Sequence, residues 1–276
     1  MDGPISGSIA MPFASQTAPQ AAPHAATESQ SGVCYDHAYR RPGHPGQSRW
    51  ACRLMAWLGR SVGRLMYRVR VEGLENFPTV GSGPTLVLVK HQRNSDIPLG
   101  FAHILTPRRP DSWCIMKHDL AAPQFGGFVL QAGGIPIDRD RPMRSRRYLR
   151  MGREVLHDGR ALLLFPEQTF FVNSMGPGKF PGFRYLTKHA PAGIQVSSVG
   201  LDYRPRGVLR RTEAIFRIGP PRALPAATTR SQDDLADFLH ERMQAMARLT
   251  GLEYEFAPIR RRTKSMREAA ASAASH

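Results

Sequence analysis

Two titratable residues, His91 and Asp96, stand five positions apart in the stretch KHQRNSD, directly after the apolar run TLVLV. The apolar run indicates a buried strand, and the residues after it indicate a helix with Ser95 as its N-cap. A bend of this length can bring the two side chains together. The carboxylate would then orient the imidazole, whose other nitrogen could take a proton from a hydroxyl. Taken in isolation, the pair is more typical of a polar turn between a strand and a helix.

Two further apolar runs end on a polar residue. GGIPIDR ends on Arg139, and LLLFPEQT carries Glu167 just after its apolar part. Because the carboxyl ends of parallel strands meet at one edge of a sheet, we expect these residues to share a crevice with His91. A guanidinium suits phosphate, and a carboxylate can accept hydrogen bonds from a polyol. The alternatives are one more arginine in an arginine-rich chain and a turn after Pro166, each plausible singly and less so jointly.

The elements that must position these residues alternate along the chain. Strand patterns cover residues 84–90, 112–117, 135–139, 161–167, 194–203 and 213–221, and helix patterns cover residues 95–105, 124–134, 143–159 and 231–249. Such alternation predicts an α/β fold with a mostly parallel central sheet flanked by helices.

An amphipathic helix is predicted at residues 49–70, ahead of this sheet. Apolar residues recur there at helical spacing, and arginines follow on the other side. The helix either packs on its own domain or lies in a membrane interface, and both can hold at once. Around it, the composition predicts a disordered segment at residues 1–47, a folded domain at residues 48–256, and a basic, loose tail at residues 257–276.

The bulk composition narrows the class of protein. The 276 residues carry a formal net charge of +16, which favours an anionic partner such as phosphate or a membrane surface. Nucleic acid is not expected, because no nucleic-acid-binding motif accompanies the charge. Three cysteines without metal-site or disulfide spacing indicate a reducing compartment, and no metal cluster is expected. No apolar run is long enough for a membrane-spanning helix, and no signal peptide is evident.

Together, the three motifs resemble those of the glycerolipid acyltransferases, typified by 1-acylglycerol-3-phosphate acyltransferase. That family has His-x4-Asp, then Gly-x-x-Pro-Ile-x-Arg, then Phe-Pro-Glu-Gly-Thr-Arg, and then a Val-Pro-Val strand. The matches here are HQRNSD, GGIPIDR and FPEQT, in the same order, and the resemblance covers roughly residues 50–250. MKHDL resembles the lysine-containing segment after the family's second strand, which makes Lys117 a further candidate.

The resemblance implies transfer of an acyl group from acyl-CoA or acyl carrier protein to a hydroxyl of a lysophospholipid such as 1-acylglycerol-3-phosphate. His91 would be the general base and Asp96 its orienting acid, without a cofactor. Arg139, Glu167, Lys117 and Arg184 would bind substrate. The enzyme would sit peripherally or monotopically on the cytoplasmic face of a membrane.

Some positions depart from the family pattern. Gln168 and Phe170 replace the glycine and the arginine of the third motif, Ser197 and Ser198 lie in the Val-Pro-Val strand, and Lys90 replaces a common asparagine. The missing arginine at 170 leaves two alternatives open beside the phosphate-bearing acceptor. One is an acyltransferase acting on a non-phosphate lysolipid, such as an amino-acid lipid. The other is a catalytically inactive, basic membrane-binding protein.

Overall fold

A central sheet of eight strands organises the part of the chain that the computed structural model describes, which is residues 44–122, 127–207, 210–226 and 231–258. The strands are β1 (Tyr67–Glu72), β2 (Thr85–Val89), β3 (Trp113–Lys117), β4 (Gly134–Ile137), β5 (Ala161–Leu164), β6 (Gln195–Arg204), β7 (Thr212–Ile218) and β8 (Arg222–Ala223). Their order across the sheet is β1-β7-β6-β2-β5-β3-β4, with β8 paired to β6. Neighbours are parallel except that β7 and β8 run antiparallel to β6.

Helices cover both faces of this sheet. They are α1 (Arg49–Met66), α2 (Asp96–Gly100), α3 (Thr106–Arg108), α4 (Phe128–Gln131), α5 (Pro142–His157), α6 (Phe180–Thr187) and α7 (Gln232–Thr250). A π-helical stretch, Phe101–Leu105, joins α2 to α3. The predicted α/β class with a mostly parallel sheet is therefore confirmed. No helix among these residues is both long enough and apolar enough to cross a membrane.

The central strands are apolar throughout because both of their faces are covered. All five residues of β2 and all four of β5 are buried. Leu86 and Leu88 of β2 join a core beneath α5, α6 and α7, whereas Val87 and Val89 join a second core beneath α1 and α2. The alternation fixes β2, and hence the residues after it, between two packed layers.

The structure corrects the predicted N-terminal boundaries. The helix predicted to reach residue 70 ends at Met66, and Tyr67 begins β1, which pairs in parallel with β7. Apolar and charged residues alternate in YRVRVE, which indicates a strand. The helix prediction overlooked this alternation because it counted the arginines as part of a helical pattern. Residues 1–43 lie outside the described residues. Within the segment predicted to be disordered, His44 and Gln47 are buried, and Gln47 donates to the carbonyl of Ser112.

Other boundaries also shift. The predicted strand ends at 139 and 167 lie beyond the observed ends of β4 and β5, so Arg139 and Glu167 stand in the loops that follow. Of the helix predicted at 124–134, only Phe128–Gln131 is helical, and residues 123–126 lie outside the described residues. Of the predicted basic tail, residues 259–276 lie outside them as well. Helix α6 was not predicted.

Helix α1 packs through its smallest residues. Its buried residues are Ala51, Cys52, Met55, Ala56, Gly59 and Gly63. A Cβ at Gly59 would stand 1.9 Å from the carbonyl oxygen of Pro98, so the two backbones touch there. The large apolar residues lie on the outside instead: the side chains of Trp50, Trp57 and Leu65 are 56%, 57% and 78% exposed. The inner face of the helix thus packs on its own domain, and the exposed outer face fits contact with a membrane interface.

Replacing Gly59 by alanine tests this packing. In a free helix the change stabilises by up to about 1 kcal/mol. Here the added methyl group meets backbone, and overpacking of this kind costs about 1–3 kcal/mol. We therefore expect Gly59→Ala to lower the melting temperature by at least about 2 °C, measured by circular dichroism. Ser61→Ala, on the other face of α1, is the control and should not lower it. A raised melting temperature for Gly59→Ala would contradict the close approach.

Candidate active site

His91 and Asp96 form the hydrogen-bonded pair that the sequence predicted. The imidazole Nδ1 lies 3.0 Å from Oδ2 of Asp96. The same oxygen accepts the backbone N–H groups of Gln92 and Arg93 at 2.6 and 2.9 Å, and Oδ1 accepts the hydroxyl of Tyr203 at 2.6 Å. The Asp96 side chain is fully buried. Four donors thus hold the carboxylate in one orientation, and the carboxylate in turn orients the imidazole.

Two phenylalanines enclose the ring of His91. Phe165 stacks on it with ring centroids 4.2 Å apart, and Phe170 lies against it at 4.3 Å. The His91 side chain is 14% exposed, so most of it is covered by the protein. Since Nδ1 faces Asp96, Nε2 is the nitrogen available to an incoming hydroxyl. The geometry suits a general base in a largely apolar setting.

Glu167 has a different position from the one its motif suggested. It follows β5 as expected, but its carboxylate is fully buried and accepts two hydrogen bonds from Nζ of Lys90, at 3.0 and 2.8 Å. It also accepts the backbone N–H groups of Gly176 at 2.6 Å and His91 at 3.4 Å. Each oxygen therefore has two donors within the protein. The carboxylate predicted to bind substrate is turned away from solvent and holds the strand ends together.

Burial acts against both charges of this ion pair. It lowers the pKa of Lys90 and raises the pKa of Glu167, while the opposite charge of each partner works in the other direction. The ammonium group of Lys90 also donates to the carbonyl oxygens of Phe171 at 2.8 Å and His91 at 3.3 Å. With these hydrogen bonds, both ionised groups are satisfied inside the fold.

A cleft of about 590 Å³ opens at the carboxyl ends of β3, β4 and β5. Phe165, whose ring stacks on His91, belongs to its wall, together with Arg139, Gln168 and Lys179. Apolar side chains line much of the remainder: Ile115, Met116, Ile137, Leu149, Leu164 and Leu186. The lining therefore combines apolar side chains that suit a hydrocarbon chain with cations that suit an anionic group.

The three cations predicted to bind substrate occupy different positions. The guanidinium of exposed Arg139 donates to the carbonyl oxygen of Gln168, and burial of part of it lowers its pKa. Lys117 ends β3 next to the cleft, is 56% exposed and pairs with Asp119. Arg184 lies on α6 but is absent from the residues that line the cleft. Their contact with substrate stays a prediction.

Sequence reasoning missed Lys179 and Tyr203. Lys179 precedes α6 in the wall of the cleft, in the stretch GPGK, which lies outside the three motifs. Tyr203 reaches Asp96 from β6, 107 residues further along the chain. The pairing of β6 with β2 brings it there, and no local pattern indicates that pairing.

The turn after β5 explains one position of the third motif. Gln168 has a φ of 62°, in the left-handed region that favours glycine. The family pattern has glycine there, and glutamine adopts the same conformation at a cost of about 1 kcal/mol or more. The gain is an extra side chain, since Gln168 lines the cleft.

Two other potential nucleophiles of the described residues, Cys52 and Cys114, are buried. Burial raises the pKa of the Cys52 and Cys114 thiols to about 12, so neither is a thiolate near neutral pH. Within residues 44–122, 127–207, 210–226 and 231–258, no group of three His, Cys, Asp or Glu side chains could hold a metal ion.

Parts of the chain are similar to known proteins. Residues 68–199 match the family model described as Acyltransferase. A lyso-ornithine lipid O-acyltransferase from Pseudomonas aeruginosa is 31% identical over 152 residues, which are 55% of this chain and 54% of that protein. The chain thus matches about half the length of this relative.

A solved structure shows the same fold. The 1-acyl-sn-glycerophosphate (LPA) acyltransferase PlsC from Thermotoga maritima superposes with a TM-score of 0.53 at 21% identity, over 72% of this chain and 79% of that one. Residues 68–199 are therefore similar to the Acyltransferase family model, and the chain shares the fold of the Thermotoga maritima structure.

Proposed function

We propose that this protein is an O-acyltransferase that moves a fatty acyl group from a thioester, of CoA or acyl carrier protein, to the hydroxyl of a lysolipid. The observation that carries the proposal is the His91–Asp96 pair, 3.0 Å apart at the carboxyl edge of the parallel strands and next to the cleft. The same geometry argues against an inactive, purely membrane-binding protein, because four donors hold the buried Asp96 carboxylate where it orients the imidazole.

The reaction follows from the two ring nitrogens. Nε2 of His91 takes the proton of the acceptor hydroxyl as its oxygen attacks the thioester carbonyl. Asp96, hydrogen-bonded to Nδ1, stabilises the imidazolium that forms. When the tetrahedral intermediate collapses, the carbon–sulfur bond breaks and the imidazolium returns the proton to the leaving thiolate. The products are the ester and the free thiol.

Phe170 narrows the choice of acceptor head group. Its ring lies on His91, at the position where the family pattern has an arginine. An apolar ring offers no charge to a phosphate beside the attacked hydroxyl. This favours a non-phosphate lysolipid over 1-acylglycerol-3-phosphate, and the name of the Pseudomonas aeruginosa relative supports the same choice. A phosphate-bearing acceptor could still be bound by the cations of the cleft wall, Arg139, Arg146 and Lys179.

The outer face of α1 suits a membrane surface. Trp50, Trp57 and Leu65 are exposed, and we call them the outer stripe. Arg53, Arg60 and Arg64 are exposed alongside it. Aromatic and aliphatic side chains next to arginines are typical of helices that lie in the interface of anionic bilayers. The proposal places the enzyme peripherally on the cytoplasmic face, where both thioester donors are found.

Removal of the base tests the chemistry. His91→Ala should lower kcat at least about 100-fold, since general-base help contributes about 10²–10⁴. The assay follows labelled acyl-CoA with a lipid extract, and circular dichroism confirms that the variant is folded. His118→Ala is the matched control, because His118 is 60% exposed and pairs only with neighbouring Asp119 in the described contacts. Undiminished turnover by folded His91→Ala would refute the proposed mechanism.

An acceptor panel tests the head group. Wild-type protein is offered 1-acylglycerol-3-phosphate and an amino-acid lysolipid with the same chains, and we expect a preference for the latter. Phe170→Arg should shift the ratio of kcat/KM towards the phosphate-bearing acceptor by about tenfold or more, as expected for a charge-assisted hydrogen bond. Val172→Arg adds the same charge at a 52% exposed neighbour and should leave the ratio unchanged. Equal shifts in both variants would mean that net charge, not Phe170, decides.

Point substitutions test the outer stripe better than deletion of residues 49–70, because that deletion also removes part of β1. Trp57→Ser with Leu65→Ser should weaken binding to vesicles of phosphatidylethanolamine and phosphatidylglycerol at least about tenfold, given about 1.5–3 kcal/mol per buried apolar side chain. Val80→Ser with Phe256→Ser removes other exposed apolar side chains as a control. Retained binding of the first variant in a sedimentation assay would place the membrane contact elsewhere.

A further inference from the structure

The two oxygens of Asp96 are used unequally. Oδ2 accepts from His91 and from two backbone N–H groups, whereas the hydroxyl of Tyr203, at 2.6 Å, is the donor to Oδ1 in the described contacts. A short hydrogen bond to an ionised oxygen draws negative charge towards the donor. Tyr203 is only 4% exposed, so water does not compete for this contact.

We propose that Tyr203 is a positioning residue that limits how strongly Asp96 stabilises the protonated form of His91, and thereby sets the lower end of the pH range in which the enzyme works. The inference rests on the proposed function. It concerns a residue outside the three motifs, and it predicts a change in pH dependence and not only in stability.

The surroundings of Tyr203 keep its hydroxyl a donor. Burial and the charge of Asp96 raise its pKa, so the phenol stays protonated across the working range. Its ring packs against that of Tyr67, with centroids 5.4 Å apart, and the guanidinium of Arg93 lies over it at 4.5 Å. Ser95 Oγ lies 3.1 Å from the Tyr203 hydroxyl and 3.3 Å from the Tyr67 hydroxyl.

Within the described part of the chain, the charged and titratable groups around His91 come from four elements. After β2, Lys90 contacts the His91 carbonyl oxygen, and after β5, Glu167 contacts its N–H group. These two neutralise each other. Asp96 and Arg93 come from the beginning of α2 and the loop before it, and β6 contributes Tyr203. Of these groups, only the Asp96 carboxylate touches the imidazole. The donors to Asp96 therefore determine how much negative charge the imidazole faces.

Loss of the Tyr203 hydroxyl leaves more negative charge for the imidazolium to face. The protonated, inactive form of His91 then persists to higher pH. In Tyr203→Phe we expect the acid limb of kcat/KM to move to higher pH by about 0.5 unit or more, because one unit corresponds to 1.36 kcal/mol and a hydrogen bond to a charged group contributes about 1.5–3 kcal/mol.

Tyr67→Phe is the matched control. It deletes the same atom from the neighbouring buried tyrosine, which contacts Ser95 but not Asp96 in the described contacts. Its acid limb should coincide with that of the wild type. Ser95→Ala is the second test should Tyr203→Phe not fold. Ser95 makes no helix-capping hydrogen bond, and its hydroxyl makes Tyr203 a better donor, so its loss should shift the limb in the same direction by a smaller amount.

The experiment measures kcat/KM from pH 5 to 9 with acyl-CoA and the acceptor that the panel identifies, together with the melting temperature of each variant. A shift in Tyr203→Phe and Ser95→Ala but not in Tyr67→Phe supports the inference. A lower melting temperature with an unmoved acid limb would show a purely structural tyrosine and overturn it. Failure of the proposed function is seen separately, as turnover that survives His91→Ala.

Discussion

The ion pair between Lys90 and Glu167 is the contact on which the site depends. Both side chains are fully buried, and together they bind the backbone of His91 at its carbonyl oxygen and at its N–H group. Desolvating two charges is costly, and removal of one partner from such a pair typically costs about 3–5 kcal/mol. The pair is therefore weak evidence for overall stability. It is stronger evidence for fixed geometry, since it joins the ends of β2 and β5 next to His91.

The same pair orders the loop that follows Glu167. Lys90 binds the carbonyl oxygen of Phe171, whose N–H group in turn donates to the His91 carbonyl oxygen at 3.2 Å. The ring of Phe171 occupies the space where a Cβ of Gly176 would stand, only 2.1 Å from that position. With Phe171 fixed on both sides, its neighbour Phe170 is directed onto the imidazole. The position of Phe170 against His91 thus depends on the ion pair between Lys90 and Glu167.

The edge of the sheet could be predicted from sequence because it rests on short-range patterns. Apolar runs followed by polar residues placed His91, Arg139 and Glu167 at strand ends, and parallel pairing brought those ends to one side. The direction of each side chain was not predictable in this way. Glu167 turns inward because Lys90 is its neighbour in space, and Tyr203 reaches Asp96 only through the pairing of β2 with β6. Helix α1 shows a related difficulty. Hydrophobic periodicity placed the arginines opposite the tryptophans, whereas both are exposed and small residues such as alanine and glycine form much of the packed face.

That packing gives α1 a mechanical role. At Gly59 its backbone touches that of Pro98, which lies two residues after Asp96 in α2. At this point no side chain separates the backbone of α1 from that of α2. On a bilayer, the base would consequently be held at one depth relative to the lipid head groups. A lysolipid would then be selected partly by the distance between its hydroxyl and the plane of the membrane. The thickness of α1 would set that distance.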